Sequence, residues 1–208
     1  MQRPNYQSKV IEQILNKPKG TLFIYSDFFE IADATAIRQI LKRLSDEEKL
    51  VRVLDGMYTR LEYSKILKKY IYPSTIDVAH TLARKFNWNI YPSKHTALNI
   101  VGLSTQISNR YEFLSDGPYR KYIYLNNEIS FRKSANKKIK INSDALINLI
   151  IALDAYGKDR INDNEMKIIS KYVENNQITE ELLDQNKTIP EWMYLVIKKI
   201  LKKEQKND

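Results

Sequence analysis

Ala34-Thr35-Ala36-Ile37-Arg38-Gln39-Ile40-Leu41-Lys42-Arg43-Leu44 and, after five intervening residues, Leu50-Val51-Arg52-Val53-Leu54-Asp55-Gly56-Met57-Tyr58-Thr59-Arg60 decide the fold of this chain. In the first stretch Ile37, Ile40, Leu41 and Leu44 recur at i, i+3, i+4 and i+7, the apolar stripe of an α-helix. Thr35, Arg38, Gln39 and Lys42 hold the same spacing on the opposite side, with Arg43 at the flank. Asp33 precedes them as a ready N-cap. The second stretch is two β-prone runs around Asp55-Gly56. That pair signals a hairpin, because a two-residue primed turn needs positive φ.

Working upstream, Val10, Ile11, Ile14 and Leu15 share one face of a helix over residues 5–16. Lys17-Pro18-Lys19-Gly20 ends it. Thr21 to Tyr25 is short, apolar and β-prone, and Ser26 can cap a very short helix over 27–31. The order is helix, short strand, helix, helix, hairpin, which is that of a winged helix-turn-helix over residues 1–60. Its outward set carries the side chains that reach base edges and phosphates, and the hairpin adds Arg52 and Arg60. Two other readings use the same residues. A charged outer face is what most helices have, and some winged helices bind protein.

Downstream, residues 61–72 read as a connector, with Lys65, Lys68 and Lys69 among Ile66, Leu67 and Tyr70. Residues 73–204 read as a mixed α/β domain ending in helices. Ser74 caps a helix carrying Ile76, Ala79, Ala83 and Phe86, and a segment from Lys94 to Val101 stops at Gly102. Strands follow over 111–114, 119–125 and 128–134, then helices capped by Ser143 and by the Asn162/Glu165 capping box, and a last helix after Pro190. The whole is predicted to be α+β.

Composition bounds the chemistry. The 208 residues include no cysteine, which excludes disulfides, thiolate metal sites and cysteine nucleophiles. Two histidines, His80 and His95, leave little for imidazole-ligated metal. Asp159, Asn162, Asp163 and Glu165 lack the glycine and distal glutamate of a calcium loop. No phosphate-cradling glycine loop and no nucleophile motif occurs. Carboxylates in the most basic segment are spread apart, so no catalytic centre, cofactor or metal is expected. The first ten residues are polar and no run could span a bilayer, so the expected compartment is the cytoplasm.

The net charge is +9, and it is unevenly placed. Residues 71–141 hold 11 basic and 4 acidic side chains, whereas residues 142–208 hold 10 and 12. Arg132, Lys133, Lys137, Lys138 and Lys140, with Arg120 and Lys121, form a candidate auxiliary basic patch interleaved with Tyr119, Tyr122, Tyr124 and Phe131. Such interleaving can bind nucleic acid. Tyrosines alternating with Ile123 and Leu125 also describe an ordinary half-buried strand, and edge lysines suppress aggregation.

In order and spacing these residues resemble the AbiEi-type antitoxins of abortive-infection, type IV toxin–antitoxin systems. The resemblance runs through 37–44, Lys49-Leu50-Val51-Arg52-Val53 and the Asp55-Gly56-Met57-Tyr58 wing. It continues at Pro92, Ala97-Leu98-Asn99, Gly102-Leu103-Ser104-Thr105-Gln106, Leu114-Ser115-Asp116-Gly117 and Ile129-Ser130-Phe131-Arg132. Ala152-Leu153, Gly157-Lys158 and Pro190-Glu191-Trp192 extend it, so it covers about residues 5–200. It departs at 27–31, where the helix before the charged helix is unusually short.

The resemblance implies a transcriptional autorepressor that binds double-stranded DNA at inverted repeats in its own promoter, and an antitoxin opposing a nucleotidyltransferase-like toxin. Carried over residue by residue, the DNA-binding set is Thr35, Arg38, Gln39, Lys42, Arg43 and Arg52, with Arg60 where the match fades. No catalytic residue carries over. The alternative is a protein-interaction module that neutralises a toxin by direct binding, with DNA binding secondary.

Overall fold

The computed structural model describes residues 5–104, 106, 109–134, 141, 143–186 and 189–204. The chain is α+β and divides into two compact units, 1–88 and 89–208.

The first unit starts with α1 (Tyr6–Leu15), β1 (Leu22–Ile24) and a 3-10 turn over Tyr25–Phe28. Next come α2 (Ala34–Asp46) and the strands β2 (Val51–Leu54) and β3 (Met57–Thr59). This is the winged-helix order. The strands form an antiparallel sheet in the order β1-β3-β2. In place of the short helix predicted over 27–31 with Ser26 as its cap there is that 3-10 turn, which starts earlier because the Asp27 carboxylate accepts from the Ile24 N–H at 2.9 Å and sets the cap at Ile24. The core joins Val10 and Ile14 of α1, Phe23 and Phe28, the α2 stripe Ile37, Ile40, Leu41 and Leu44, and Leu50 and Tyr58. The wing turn differs from the primed turn predicted. Only Gly56 takes positive φ, at +63°, and β2 bulges between Arg52 and Leu54.

Two further elements belong to this unit. The expected connector 61–72 is instead a hairpin of β4 (Glu62–Ser64) and β5 (Lys69–Ile71). Tyr63 and Tyr70 pair across it edge to face at 5.2 Å. Then α3 (Thr75–Phe86) packs on β1, whereas the sequence reading placed it with the second domain. Its Arg84 pairs with Asp27 and donates to the Leu22 carbonyl at 3.3 Å, and its Lys85 donates to the Asp55 carbonyl.

The second unit contains a four-stranded sheet ordered β6-β7-β9-β8. Its strands are β6 (Ile90–Pro92), β7 (Arg110–Ser115), β8 (Arg120–Tyr124) and β9 (Asn127–Lys133). β8 and β9 form a hairpin, and β9 pairs in parallel with β7, so Phe113 stacks on Phe131 at 5.9 Å. Helices α4 (Lys94–Val101), α5 (Asp144–Tyr156), α6 (Asp163–Asn175), α7 (Glu180–Asp184) and α8 (Glu191–Glu204) build a separate core. Leu146, Leu149, Leu153, Ile169, Leu183 and Ile197 are fully or almost fully buried there. The caps predicted at Ser143 and Asn162/Glu165 are present, Ser143 accepting from the Leu146 N–H, and the structure adds Ser93, which accepts from the Thr96 N–H to cap α4.

Candidate nucleic-acid interface

Helix α2 has two faces because its sequence has two. Asp33 sets its start, accepting from the Thr35 and Ala36 N–H groups at 2.9 and 3.0 Å. The Ile37, Ile40, Leu41 and Leu44 stripe is buried, which leaves Thr35, Arg38, Gln39, Lys42 and Arg43 exposed on the other side. Arg38 lies over the Tyr25 ring at 4.2 Å. Stacking restrains the guanidinium and leaves its in-plane N–H donors available to an acceptor.

Arg38 and Lys42 line a cleft of about 550 Å³ with Arg52 and Gly56 of the wing and Lys85 of α3. Tyr25 and Tyr58 supply aromatic surface, and Asp46 and Asp55 are the carboxylates. Asp55 is already paired with Arg52 across the turn. Four cations against two carboxylates make the cleft a place for an anion. Burial pushes the Lys85 ammonium below the ordinary lysine value, and Arg38 and Arg52 push the same way while Asp55 opposes them. Burial likewise raises the Tyr58 phenol. Gly56 takes a positive φ that side chains rarely adopt, and a Cβ there would crowd Lys85 Nζ at 3.2 Å, so the lysine end would have to shift.

The sequence-predicted residues therefore separate. Arg38, Lys42 and Arg52 converge on the cleft. Thr35 and Gln39 are exposed on the same helix outside its lining. Arg43 turns toward α1, where it donates to Gln7 Oε1 at 3.1 Å. Arg60 is committed to structure: its guanidinium donates to the Lys17 carbonyl at 2.8 Å and reaches that of Leu15 at 3.5 Å, closing the end of α1. Lys85 was missed, because its helix was read as part of the other domain.

The auxiliary patch is partly neutralised in the second unit. Arg132 pairs with Glu112 at 3.2 Å and Lys121 with Glu128 at 3.2 Å, while Lys133 is exposed. Lys137, Lys138 and Lys140 lie outside the described residues. Strand β8 turns Tyr124 into the core and Tyr122 against Phe131, leaving Ile123 and Leu125 outward. Those two tyrosines serve packing. Among the described residues no group of three or more His, Asp or Glu side chains is placed to hold a metal. No described helix is long and apolar enough to cross a membrane.

A family model matches residues 9–182, across both units. The chain belongs to the DUF6088 family, a family of unknown function. No curated protein and no solved structure matches it. The DUF6088 match begins within α1 and runs through both wing strands, Lys85 and the four-stranded sheet, so every residue lining the candidate cleft lies inside the matched range.

Proposed function

We propose that this DUF6088 chain is a double-stranded-DNA-binding repressor of its own promoter and the antitoxin of a type IV pair, opposing a nucleotidyltransferase-like toxin. One observation carries the DNA part. Helix α2 buries its apolar stripe, exposes Thr35, Arg38, Gln39, Lys42 and Arg43 together, and is followed at once by a hairpin bearing Arg52. The antitoxin part is supported by the ordered motif resemblance to AbiEi-type antitoxins.

In this reading α2 enters the major groove. Arg38, restrained on Tyr25, and Gln39 reach base edges, since arginine matches guanine bidentately and glutamine matches adenine. Lys42, Arg43, Arg52 and Lys85 take phosphates, which fixes the register of the protein on the duplex. A module this small reads few base pairs, so inverted repeats bind two copies.

The test is binding of the full chain to DNA from upstream of its own gene against random duplex, across a salt series. The upstream DNA should win, and Arg38→Ala should lose about 1–3 kcal/mol on it and relax the preference. Equal losses on both duplexes would refute the base-reading role. Weak binding to both, with toxin neutralisation kept after α2 is stripped of charge, would make the chain a protein-binding module.

A further inference from the structure

The β4–β5 hairpin has no task in that reading, yet it is the most exposed apolar feature of the first unit. Ile66 is 92% exposed and Leu67 58%, at the tip. The tip is held in shape. Ser64 Oγ accepts from the Leu67 N–H at 3.1 Å, Lys68 takes φ +50°, and the Tyr63–Tyr70 pair stiffens the stem. Lys65, Lys68 and Lys69 surround the two apolar side chains, and the hairpin carries a single carboxylate, Glu62.

We propose that this hairpin is a second DNA-contacting element, its Ile66-Leu67 tip entering the minor groove as a wedge against a base step while its lysines hold the flanking phosphates. The proposal rests on the DNA-binding reading and adds a site to it. Aliphatic side chains presented between cations match stacked bases lying between phosphates. A second copy of the chain fits worse, because two such tips would bring six lysines together. Position agrees. A second cleft, of about 720 Å³, is lined by Tyr70 of the hairpin, by Tyr72 just after it, and by Ser45 and Arg52. Ser45 and Arg52 also line the cation cleft, so the hairpin flanks the candidate interface.

The experiment uses the full chain and a closed circular plasmid carrying the DNA upstream of its gene. The plasmid is relaxed by a topoisomerase in the presence of protein, deproteinised, and its topoisomers are resolved. A wedge unwinds DNA, so the wild type should shift the distribution to lower linking number. Ile66→Ser/Leu67→Ser should abolish the shift and still retard the plasmid, with an unchanged melting curve, since neither side chain belongs to a core. Lys65→Gln/Lys68→Gln/Lys69→Gln should flatten the slope of log affinity against log salt by up to about 2.7.

A plasmid retarded by the wild type without a topological shift, or shifted equally by the double variant, overturns the wedge and leaves the repressor reading standing. No retardation at all removes both. A dimer that the double variant dissociates, or flotation with phosphatidylserine vesicles that it abolishes, reassigns the tip and overturns the proposal.

Discussion

Leu41 and Lys42 are neighbours in sequence and belong to opposite faces of α2, so truncating each to alanine should move different observables. Leu41 is 1% exposed and sits in the core that joins α1, β1 and α2. Removing a buried leucine side chain costs about 2–5 kcal/mol, the transfer free energy plus the cavity left behind. In a unit of this size each kcal/mol lowers the melting midpoint by about 4–8 °C, so Leu41→Ala should drop it by at least about 8 °C. Lys42 is exposed and has no core contact to lose, so Lys42→Ala should leave stability within about 0.5 kcal/mol. Its effect should fall on DNA. One phosphate contact contributes about 0.9 to the salt slope, which at 0.15 M salt is about fivefold in affinity, or about 1 kcal/mol. Calorimetry and a fluorescence-anisotropy salt series on the two variants decide the matter. A Lys42→Ala variant that melts more than about 1 kcal/mol less stably, or that keeps the full slope, would show that the two faces of α2 are assigned wrongly.

Asp33→Ala should destabilise the first unit by about 1 kcal/mol through loss of the α2 cap, with Asp33→Ser recovering most of it in the same melting assay. Arg60→Met should cost about 1–3 kcal/mol by uncapping the Lys17 and Leu15 carbonyls while leaving the DNA salt slope unchanged; a lost slope unit would return Arg60 to the interface. Burial raises the Tyr172 phenol above its ordinary 10.0, so its contribution to stability is complete below pH 10 and is lost as pH rises through the folded-state value. Tyr172→Phe should flatten the alkaline fall in the melting temperature, and an unchanged pH profile would place that fall on other groups.

What could be read from sequence was what local chemistry decides. Asp33, Ser74, Ser143 and the Asn162/Glu165 box announced helix starts, since a cap and its partner lie within three residues of each other. The two faces of α2 followed from spacing alone. The β4–β5 hairpin stayed hidden because its turn uses no Asn-Gly or Asp-Gly; a Ser64 hydroxyl and a lysine at positive φ make it. The ownership of α3 was equally unreadable. It shows in α3 packing on β1, in Arg84 reaching back 57 residues to Asp27 and in Lys85 reaching back 30 to Asp55, and no local pattern encodes such long-range contacts. Three of the four cleft cations were legible for that reason, and the fourth was not. On β8, alternation was visible but its sense was not, because tyrosine and isoleucine both suit a half-buried strand.

The parallel pairing of β7 with β9 has a consequence in time. During synthesis β7 leaves the ribosome about 18 residues ahead of the end of β9, an interval of about 1–4 s at ordinary translation rates. The β8–β9 hairpin closes locally within microseconds, so β7 waits for β9 to be made and not for it to fold. Throughout that wait β7 exposes one bare edge to every other nascent chain. Arg110 and Glu112 on that strand put charge beside the edge during the interval, and they would act as gatekeepers against misassembly.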